Sequence, residues 1–479
     1  MFSNSIQRTG LFFHKESSGI KCLTQYFLNS RSTATLVGDK PKTMDDLNGP
    51  SFLTSLYWLF GKGYFPITHQ MQIEHSKIYG PLWKSKYGPL VIVNVANADL
   101  IEQVLRQEGR YPIRTDMPHW RGYRQLRNHA NGPLTGIGPE WQRIRSILNP
   151  RMLKPKHVSG YANAINGVAR DFIEKVAKLR TVKGDVVLVQ DVAGELYKFA
   201  FEGICSVVFE TRMGCLNDVI PEETQKFITS VGEMFPDELV RNKMTEIEGR
   251  VERGQEVEGE YLTHLLIGEQ MSLTELLGSV TEILLAGVDT TSNTISWALY
   301  HLAREPEIQQ KLLEEINNVC PGDQVPCSDD ISRMPLLKAV IRETLRLYPV
   351  VPGNARVIAE KEIVVGGHLF PKNTLFHLCH YAVSYDEKIF PDPFTFLPQR
   401  WIREKQKQIA QHPFGSVPFG FGIRACLGRR VAELEMYLLL SQLIKRFEVR
   451  PDPSGKTVKA ITRTLMIPGN SIDLQFIDR

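Results

Sequence analysis

One cysteine lies in a glycine-rich loop that leads directly into a helical pattern near the end of the chain. The loop, Pro418–Gly428, reads PFGFGIRACLG, and apolar Leu427, Val431 and Leu434 recur behind it at helical spacing. We therefore expect Cys426 just before or inside the first turn of a long buried helix. A helix amino terminus favours a thiolate over a thiol, and so does a metal. Cys426 is a candidate soft, anionic metal ligand.

A second candidate is a helix that weakens itself in the middle. Ser272 and Glu275 form a capping box that opens a long apolar helical pattern. Near its centre stands AGVDTT, which contains Gly287, Asp289 and Thr290. Glycine there costs about 1 kcal/mol relative to alanine, and Asp or Thr competes for backbone hydrogen bonds. Such a spot can admit a small ligand, although a tolerated kink in a core helix explains the hexapeptide equally well.

Two charge patterns share the helix predicted after Pro335. Glu343 and Arg346 lie on one face of this helix, at positions i and i+3. An ordinary surface ion pair has the same spacing. Lys338 and Arg342 are four residues apart and present a small basic face, which on most proteins is a solvated stripe.

The cysteine loop carries a family resemblance. Phe419, Gly422, Arg424, Cys426 and Gly428 reproduce the signature FxxGxRxCxG, and by it the chain resembles the cytochromes P-450. The resemblance implies a mainly α fold with small β-sheets, the cytochrome P-450 fold. It implies heme b as cofactor, with Cys426 as thiolate ligand of the iron and Arg424 on a heme propionate.

Other segments match this family in its order. Trp141 and Arg145 match the WxxxR helix that binds a propionate, and Arg356 matches a further propionate contact. Asp289 and Thr290 match the acid and alcohol pair that delivers protons to dioxygen. By the same resemblance, a buried network that braces the cysteine loop is formed by Glu343, Arg346 and Arg400.

The branch suggested is mitochondrial. In mitochondrial members, basic residues at the positions of Lys338 and Arg342 bind an adrenodoxin-like ferredoxin, which an NADPH-dependent reductase supplies with electrons; Arg429 and Arg430 extend this patch. Segments such as Gln411–Pro418 are similar to the sterol 27-hydroxylase group. The implied activity is hydroxylation of cholesterol side chains or bile-acid intermediates with molecular oxygen, and vitamin D or retinoid hydroxylation or desaturation is the alternative.

Composition bounds these interpretations. The 479 residues carry a formal charge of +4, with 42% hydrophobic and 23% charged residues, as in a folded globular protein. The charge is too small to indicate a nucleic-acid surface. Seven cysteines without a CxxC pair suit a reducing compartment and disfavour a zinc enzyme.

The amino-terminal segment reads as a targeting sequence. Residues 1–38 contain four basic residues against a single acid, Glu16, which is typical of a mitochondrial presequence. A linker at 39–50 and one catalytic domain at 51–479 follow. Apolar Phe52–Phe65 suggests peripheral contact with a membrane, which for this branch is the matrix side of the inner membrane.

One departure from the family concerns the lid. Between Asp237 and Glu260 the chain is short and charged, where the family has two long helices over the substrate pocket. We expect several turns of helix to be missing. This leaves open a heme-binding protein without turnover. A heme isomerase or dehydratase is disfavoured because Asp289, Thr290 and the donor-binding pair are intact.

Overall fold

The computed structural model describes residues 42–115, 118–183, 186–222, 224–225, 235–257, 259–402 and 412–479. The predicted presequence and residues 39–41 of the predicted linker lie outside these ranges. A compact unit extends from Thr43 to Arg479, and of the preceding unit, Met1–Lys42, the structure describes Lys42 alone.

Helices dominate the described residues. In chain order they are α1 Phe52–Leu56, α2 Thr68–Tyr79, α3 Ala98–Arg106, α4 Pro118–Arg127, α5 Gly138–Leu153, α6 Pro155–Gly160, α7 Ala162–Leu179, α8 Val192–Val208, α9 Phe235–Glu252, α10 Tyr261–Ile267, α11 Leu273–Leu302, α12 Pro306–Val319, α13 Ser328–Ser332, α14 Pro335–Leu347, α15 His380–Ser384 and α16 Arg429–Arg446.

The strands are short and form small sheets. They are β1 Lys42–Thr43, β2 Leu82–Tyr87, β3 Leu90–Val95, β4 Thr181–Lys183, β5 Val186–Val189, β6 Asn354–Ile358, β7 Ile363–Val365, β8 His368–Phe370, β9 Thr374–Leu378, β10 Phe447–Pro451, β11 Ala460–Arg463, β12 Leu465–Pro468 and β13 Leu474–Asp478. One sheet has the order β2-β3-β9-β6, with β3 parallel to β9, and another has the order β10-β13-β5-β4. The predicted fold class, mainly α with small β-sheets, is confirmed.

The central helix α11 organises the core. Its first turn is closed by the predicted capping box, in which Ser272 and Glu275 bond each other's backbone amide. It packs closely on α8, because a Cβ at Gly287 would lie 3.0 Å from Ile204 Cγ1. Gly287 therefore permits close helix contact, and α11 runs unbroken past it. The predicted weak point does not interrupt the helix.

The segment Thr43–Pro50 packs within the compact unit, whereas the sequence predicts a linker at 39–50. Leu47 is buried in a hydrophobic cluster beside the β3 and β9 strands. The Asn48 carbonyl accepts a hydrogen bond of 3.0 Å from the Lys84 amide. The burial of one leucine and one backbone hydrogen bond thus hold this segment in place, although the residues around them are polar.

Among the described residues of the lid region there is one long helix, α9. Its 18 residues are followed by the short α10, and both precede α11. Of α9, Val240 is fully buried, and Arg241 pairs with Asp237 at 2.8 Å along the helix. The predicted charged stretch is therefore helical over most of its length.

Candidate heme site

The cysteine loop is held closed by its own backbone. The Cys426 amide donates to the Phe419 carbonyl at 2.8 Å, and the Ala425 amide donates to Gly422 at 3.0 Å. Gly420 and Gly422 have φ values of 72° and 69°, a region that favours glycine. The loop leads directly into α16, which begins at Arg429, so Cys426 lies three residues ahead of that helix, as the sequence predicts.

The surroundings of Cys426 shift the pKa of its thiol in opposite directions. Burial raises its pKa, whereas the Gly428 amide and the guanidinium groups of Arg114, Arg145 and Arg429 oppose that rise. These donors and charges stabilise a thiolate, and a bound iron displaces the thiol proton outright. Among the described residues no group of three or more His, Cys, Asp or Glu side chains could hold a metal ion. A single thiolate suits an iron whose other ligands come from a macrocycle.

Four arginines converge beside the loop. Arg114, Arg145, Arg356 and Arg424 lie near one another, and Glu108 is the acid among them. Burial first, and then the neighbouring guanidinium groups, lower the pKa of Arg114 to about 10 and that of Arg424 to about 9. Four cations against one carboxylate leave a surplus of positive charge in a largely buried place, and such a surplus needs anionic partners.

Arg424 braces the loop against the segment before α5. Its Nε donates to Pro112 O at 2.8 Å and its Nη2 to Gly136 O at 2.6 Å. Its guanidinium lies 3.9 Å from the ring centroid of Trp141. The indole N–H of Trp141 donates to Pro133 O at 3.1 Å. In this structure Arg424 and Trp141 therefore mainly join two loops, and their predicted contact with a propionate stays a prediction.

Arg145 and Arg114 face the cysteine loop more directly. Arg145 Nη2 donates to the Ala425 carbonyl and Arg114 Nη2 to the Arg424 carbonyl, at 2.9 and 2.8 Å. The Nε of Arg114 is buried and has no hydrogen-bond acceptor. Sequence reasoning missed Arg114 and Glu108, because both lie in an irregular segment after α3 and their partners are hundreds of residues away.

The site fits the heme that the resemblance implies. The surplus of arginine charge and the orphaned Arg114 Nε match two carboxylates that the chain itself does not provide. At Gly428 a Cβ would meet no atom within 4 Å, which leaves open space beside the cysteine loop.

A second, separate cluster is centred on Glu343 of α14, and its bracing of the cysteine loop stays a prediction, because its described hydrogen bonds go to other segments. Glu343 accepts from Arg346 at 2.7 and 3.0 Å and from Arg400 Nε at 3.0 Å. Trp401 Nε1 donates to the same carboxylate at 2.7 Å. Arg346 also donates to the Pro393 carbonyl at 2.7 Å. The structure thus places Glu343, Arg346 and Arg400 in one fully buried network.

Asp289 and Thr290 lie together on α11. Thr290 Oγ1 donates to the Ala286 carbonyl at 2.7 Å. Ala286 is exposed although it lies in the middle of a central helix, and both Asp289 and Thr290 are half-buried. Burial raises the pKa of Asp289. Within the described residues, no hydrogen bond connects this pair to the cysteine loop.

Lys338 and Arg342 share a basic face with Arg429. Arg342 and Arg429 are exposed and Lys338 is half-buried. Both guanidinium groups lie close enough to Tyr437 to lower its pKa against the larger effect of burial. The residues therefore form one patch across α14 and α16.

A cavity of about 750 Å³ opens beside α11, between α4 and α9. Trp120, Tyr123, Leu277 and Leu285 contribute apolar surface to it. Its lining on α11 extends as far as Leu285, one residue before Ala286. Its volume lies within the usual range for small-molecule pockets.

Comparison with known proteins identifies the family. The sequence pattern described as Cytochrome P450 matches residues 49–243 and 233–476. The chain is 44% identical over 482 aligned residues to Sterol 26-hydroxylase, mitochondrial, of Rattus norvegicus, covering 92% of this chain and 90% of that protein. It is 42% identical to the human 25-hydroxyvitamin D-1 alpha hydroxylase, mitochondrial, over 91% of this chain and 93% of that protein. The crystal structure of the cytochrome P450DA heme domain superposes with a TM-score of 0.73 at 22% identity, covering 87% of this chain and 94% of that one. The chain belongs to the cytochrome P450 family, whose members bind heme through a cysteine thiolate.

Proposed function

We propose that this chain is a mitochondrial heme-thiolate monooxygenase that hydroxylates a sterol or a related lipophilic compound. The observation that carries the proposal is the convergence of Arg114, Arg145, Arg356 and Arg424 beside the closed Cys426 loop. The substrate class rests on the sterol and vitamin D hydroxylases that the chain is similar to.

The residues of this chain divide the work among them. Bound heme supplies the activation of dioxygen that allows an unactivated carbon to be hydroxylated. When heme is bound, Cys426 would ligate its iron, and Arg114, Arg145 and Arg356 would bind its propionates, with Trp141 and Arg424 as further predicted contacts. Phe419, Gly422 and Gly428 shape the loop beside it. One oxygen atom enters the product and the other leaves as water, so each turnover consumes two protons and two electrons.

Asp289 and Thr290 move those protons. The half-buried carboxyl of Asp289, with its raised pKa, retains a proton closer to neutral pH than an exposed aspartate does. Thr290 gives its hydroxyl hydrogen to the Ala286 carbonyl and leaves oxygen lone pairs free to accept another hydrogen bond. The two groups therefore form a donor and a relay on one turn of α11.

Electrons come from a ferredoxin that an NADPH-dependent reductase serves. The basic patch consists of Lys338, Arg342, Arg429 and Arg430. Its first two residues lie on α14, which also carries Glu343, and its last two lie at the start of α16, directly after the cysteine loop. An acidic ferredoxin binding there would be attracted by complementary charge and would approach the site from the Cys426 side.

The lid is proposed to be shorter than in relatives. The family pattern matches in two segments that overlap at residues 233–243, and most of this overlap lies in α9. The rat alignment spans 482 positions but only 92% of this chain's 479 residues, so the relative has residues without a counterpart here. Among the described residues of the lid region, α9 contributes Asp237, Glu238, Arg241 and Asn242 to the lining of the cavity. A shortened lid favours, as the second candidate function, a heme-binding protein that does not turn over substrate.

Peripheral attachment to the matrix side of the inner membrane completes the proposal. Around α1, Leu53, Tyr57, Phe60 and Phe65 are 59 to 74% exposed. The rings of Phe60 and Phe65 stack at 5.6 Å. This contiguous apolar surface suits insertion into the headgroup region of a bilayer. No helix of the described residues is long and apolar enough to cross a membrane.

The test is a carbon monoxide difference spectrum of the reduced protein, followed by turnover. A Soret band at the red-shifted thiolate position, lost in Cys426→Ser, would establish the ligand. Hydroxylation of cholesterol with adrenodoxin, its reductase and NADPH would then establish the activity. Turnover of 25-hydroxyvitamin D or retinol instead would select the alternative substrate class. A thiolate spectrum without turnover of any of these would select the inactive heme protein.

A further inference from the structure

Glu108 is a buried carboxylate that the proposed chemistry does not use. It lies two residues after α3, and its side chain is 7% exposed. One oxygen, Oε1, accepts a charge-assisted hydrogen bond from Arg356 Nε. The other, Oε2, would lie 3.5 Å from a Cβ at Gly422 in the cysteine loop. Glu108 therefore touches both the β6 strand, which carries Arg356, and the loop that carries Cys426.

The contacts of Arg356 show what Glu108 does to it. The Arg356 side chain is 2% exposed. Its Nε is taken by Glu108, and its Nη1 donates to the Ala355 carbonyl at 2.9 Å. Within the described residues, Nη2 donates to no protein acceptor. Two of the three nitrogens are thus fixed by the protein, and the third remains for a ligand.

Glu108 also sets the charge of the cluster. Arg114 and Arg424 both lie within electrostatic range of Glu108, together with Arg356. Without Glu108 the four guanidinium groups would carry four positive charges, and with it they carry three. In the ferrous state, in which iron and porphyrin ring together are neutral, two propionates and one thiolate would balance that charge, whereas a fourth positive charge would remain uncompensated next to the cofactor.

We propose that Glu108 is a positioning residue for the heme: it orients Arg356 so that Nη2 meets a propionate, and its charge keeps the reduction potential of the iron low. The inference rests on the proposed heme site. A negative charge near the iron stabilises the ferric form relative to the ferrous form, because reduction adds an electron to the same region. Removing that charge therefore raises the potential.

Two variants separate orientation from charge. Glu108→Gln keeps the size of the side chain and removes its charge. Glu108→Asp keeps the charge but draws the carboxylate back by one methylene, away from Arg356 Nε. We expect both variants to release heme to apomyoglobin about tenfold faster than the wild type, which corresponds to one hydrogen bond to a charged group. Only Glu108→Gln should raise the midpoint potential in a spectroscopic redox titration.

Glu360→Gln is the matched control. Glu360 lines the same cavity of about 260 Å³ as Glu108 and Arg356. Its replacement by glutamine removes one negative charge, as Glu108→Gln does. Its carboxylate packs against Gly109 and is exposed. Its variant should keep heme release within about twofold of the wild type and leave the potential unchanged.

A double-mutant cycle tests whether Glu108 acts through Arg356. Arg356→Gln and Arg356→Gln with Glu108→Gln should release heme at equal rates, because the orienting carboxylate has nothing left to orient. Additive rates, or an unchanged potential in Glu108→Gln, would overturn the inference. If the wild type shows no thiolate band with carbon monoxide, the proposed function fails first. If the wild type shows that band and Glu108→Gln behaves like Glu360→Gln, only the role of Glu108 fails.

Discussion

Arg124 and Glu282 form an ion pair in the interior, with 2.9 Å between Nη2 and Oε1, and thereby join α4 to α11. Their side chains are 9 and 0% exposed. The same carboxylate accepts the amide hydrogens of Gly132 and Leu134 at 3.1 and 2.6 Å. One buried glutamate thus fixes the loop between α4 and α5 against the central helix, beside the cavity.

Removing that glutamate should be costly. We expect Glu282→Ala to lower the free energy of unfolding by about 3 to 5 kcal/mol, since Arg124 and two amides lose their partner in the interior. Guanidinium denaturation followed by circular dichroism measures this. Glu314→Ala, an exposed position on α12, should stay within about 0.5 kcal/mol of wild type. Equal midpoints for the two variants would show that Glu282 does not anchor the loop.

Arg346→Lys should impair the brace although the charge is retained. A lysine cannot donate to both oxygens of Glu343 and also to the Pro393 carbonyl, so buried acceptors lose their partners. We expect the thiolate-type carbon monoxide signal per mole of protein to fall severalfold. Arg342→Lys, at an exposed position of the same helix, should keep that signal. A full signal in Arg346→Lys would argue against a bracing role.

Asp289→Asn should slow proton delivery without disturbing heme binding. We expect a loss of turnover of about 10²-fold, with an unchanged carbon monoxide spectrum. Thr290→Ala should lower the amount of product formed per NADPH consumed.

Thr294→Ala is the control for Thr290→Ala. Thr294 lies one turn further on and makes the equivalent bond to the Thr290 carbonyl at 2.8 Å, but it is buried in the core. Its variant should retain the wild-type yield of product. Equal yields for Thr290→Ala and Thr294→Ala would exclude a relay at Thr290.

Lys338→Ala with Arg342→Ala should raise the KM for ferredoxin about tenfold at low ionic strength. The difference from wild type should shrink as salt is added, because exposed charges are screened. Initial rates at varied ferredoxin concentration, at two salt concentrations, measure both effects. Lys372→Ala, in the turn between β8 and β9, is the control. A salt-independent change in KM would point to altered folding of α14 instead of lost attraction.

Glu435 predicts a pH dependence of stability. It is fully buried on α16, its Oε1 has no hydrogen-bond partner, and burial raises its pKa to about 8. In the unfolded chain the carboxyl ionises near pH 4.3. Between those values the folded state binds more protons, so the free energy of unfolding falls as the pH rises.

Glu435→Gln should remove that fall. Thermal unfolding at pH 4 should differ little between wild type and variant, because the Glu435 carboxyl is then mostly protonated in the folded and unfolded states alike. At pH 8 the variant should be more stable by on the order of a few kcal/mol. Parallel stability profiles from pH 5 to 8 would show that Glu435 keeps an ordinary carboxylate in the fold.

The sequence predicts local features of this protein better than distant ones. The helix behind Cys426 and the capping box at Ser272 depend on neighbouring residues, and both are present as predicted. The sequence predicts that Gly287 weakens its own helix. In the structure Gly287 instead permits close contact with Ile204 of α8. A contact between helices leaves no local pattern.

The arginine cluster shows the same limit at the site. Arg145 and Arg356 follow from motifs, but Arg114 and Glu108 lie in a segment without periodicity. Their importance arises from pairing across 248 residues, as between Glu108 and Arg356. Nor does a motif show that the N–H of Trp141 is already bonded to Pro133.

The distribution of thiols offers a chemical readout of cofactor occupancy. Of the described cysteines, Cys205, Cys215, Cys320 and Cys379 are buried, whereas Cys327 is exposed and Cys426 is half-buried. Among these six described cysteines, a maleimide should therefore label two in the apoprotein and one after reconstitution, when bound heme iron would cover the sulfur of Cys426. Mass spectrometry of the labelled peptides would then report occupancy in cell extracts whose colour is too weak for spectroscopy.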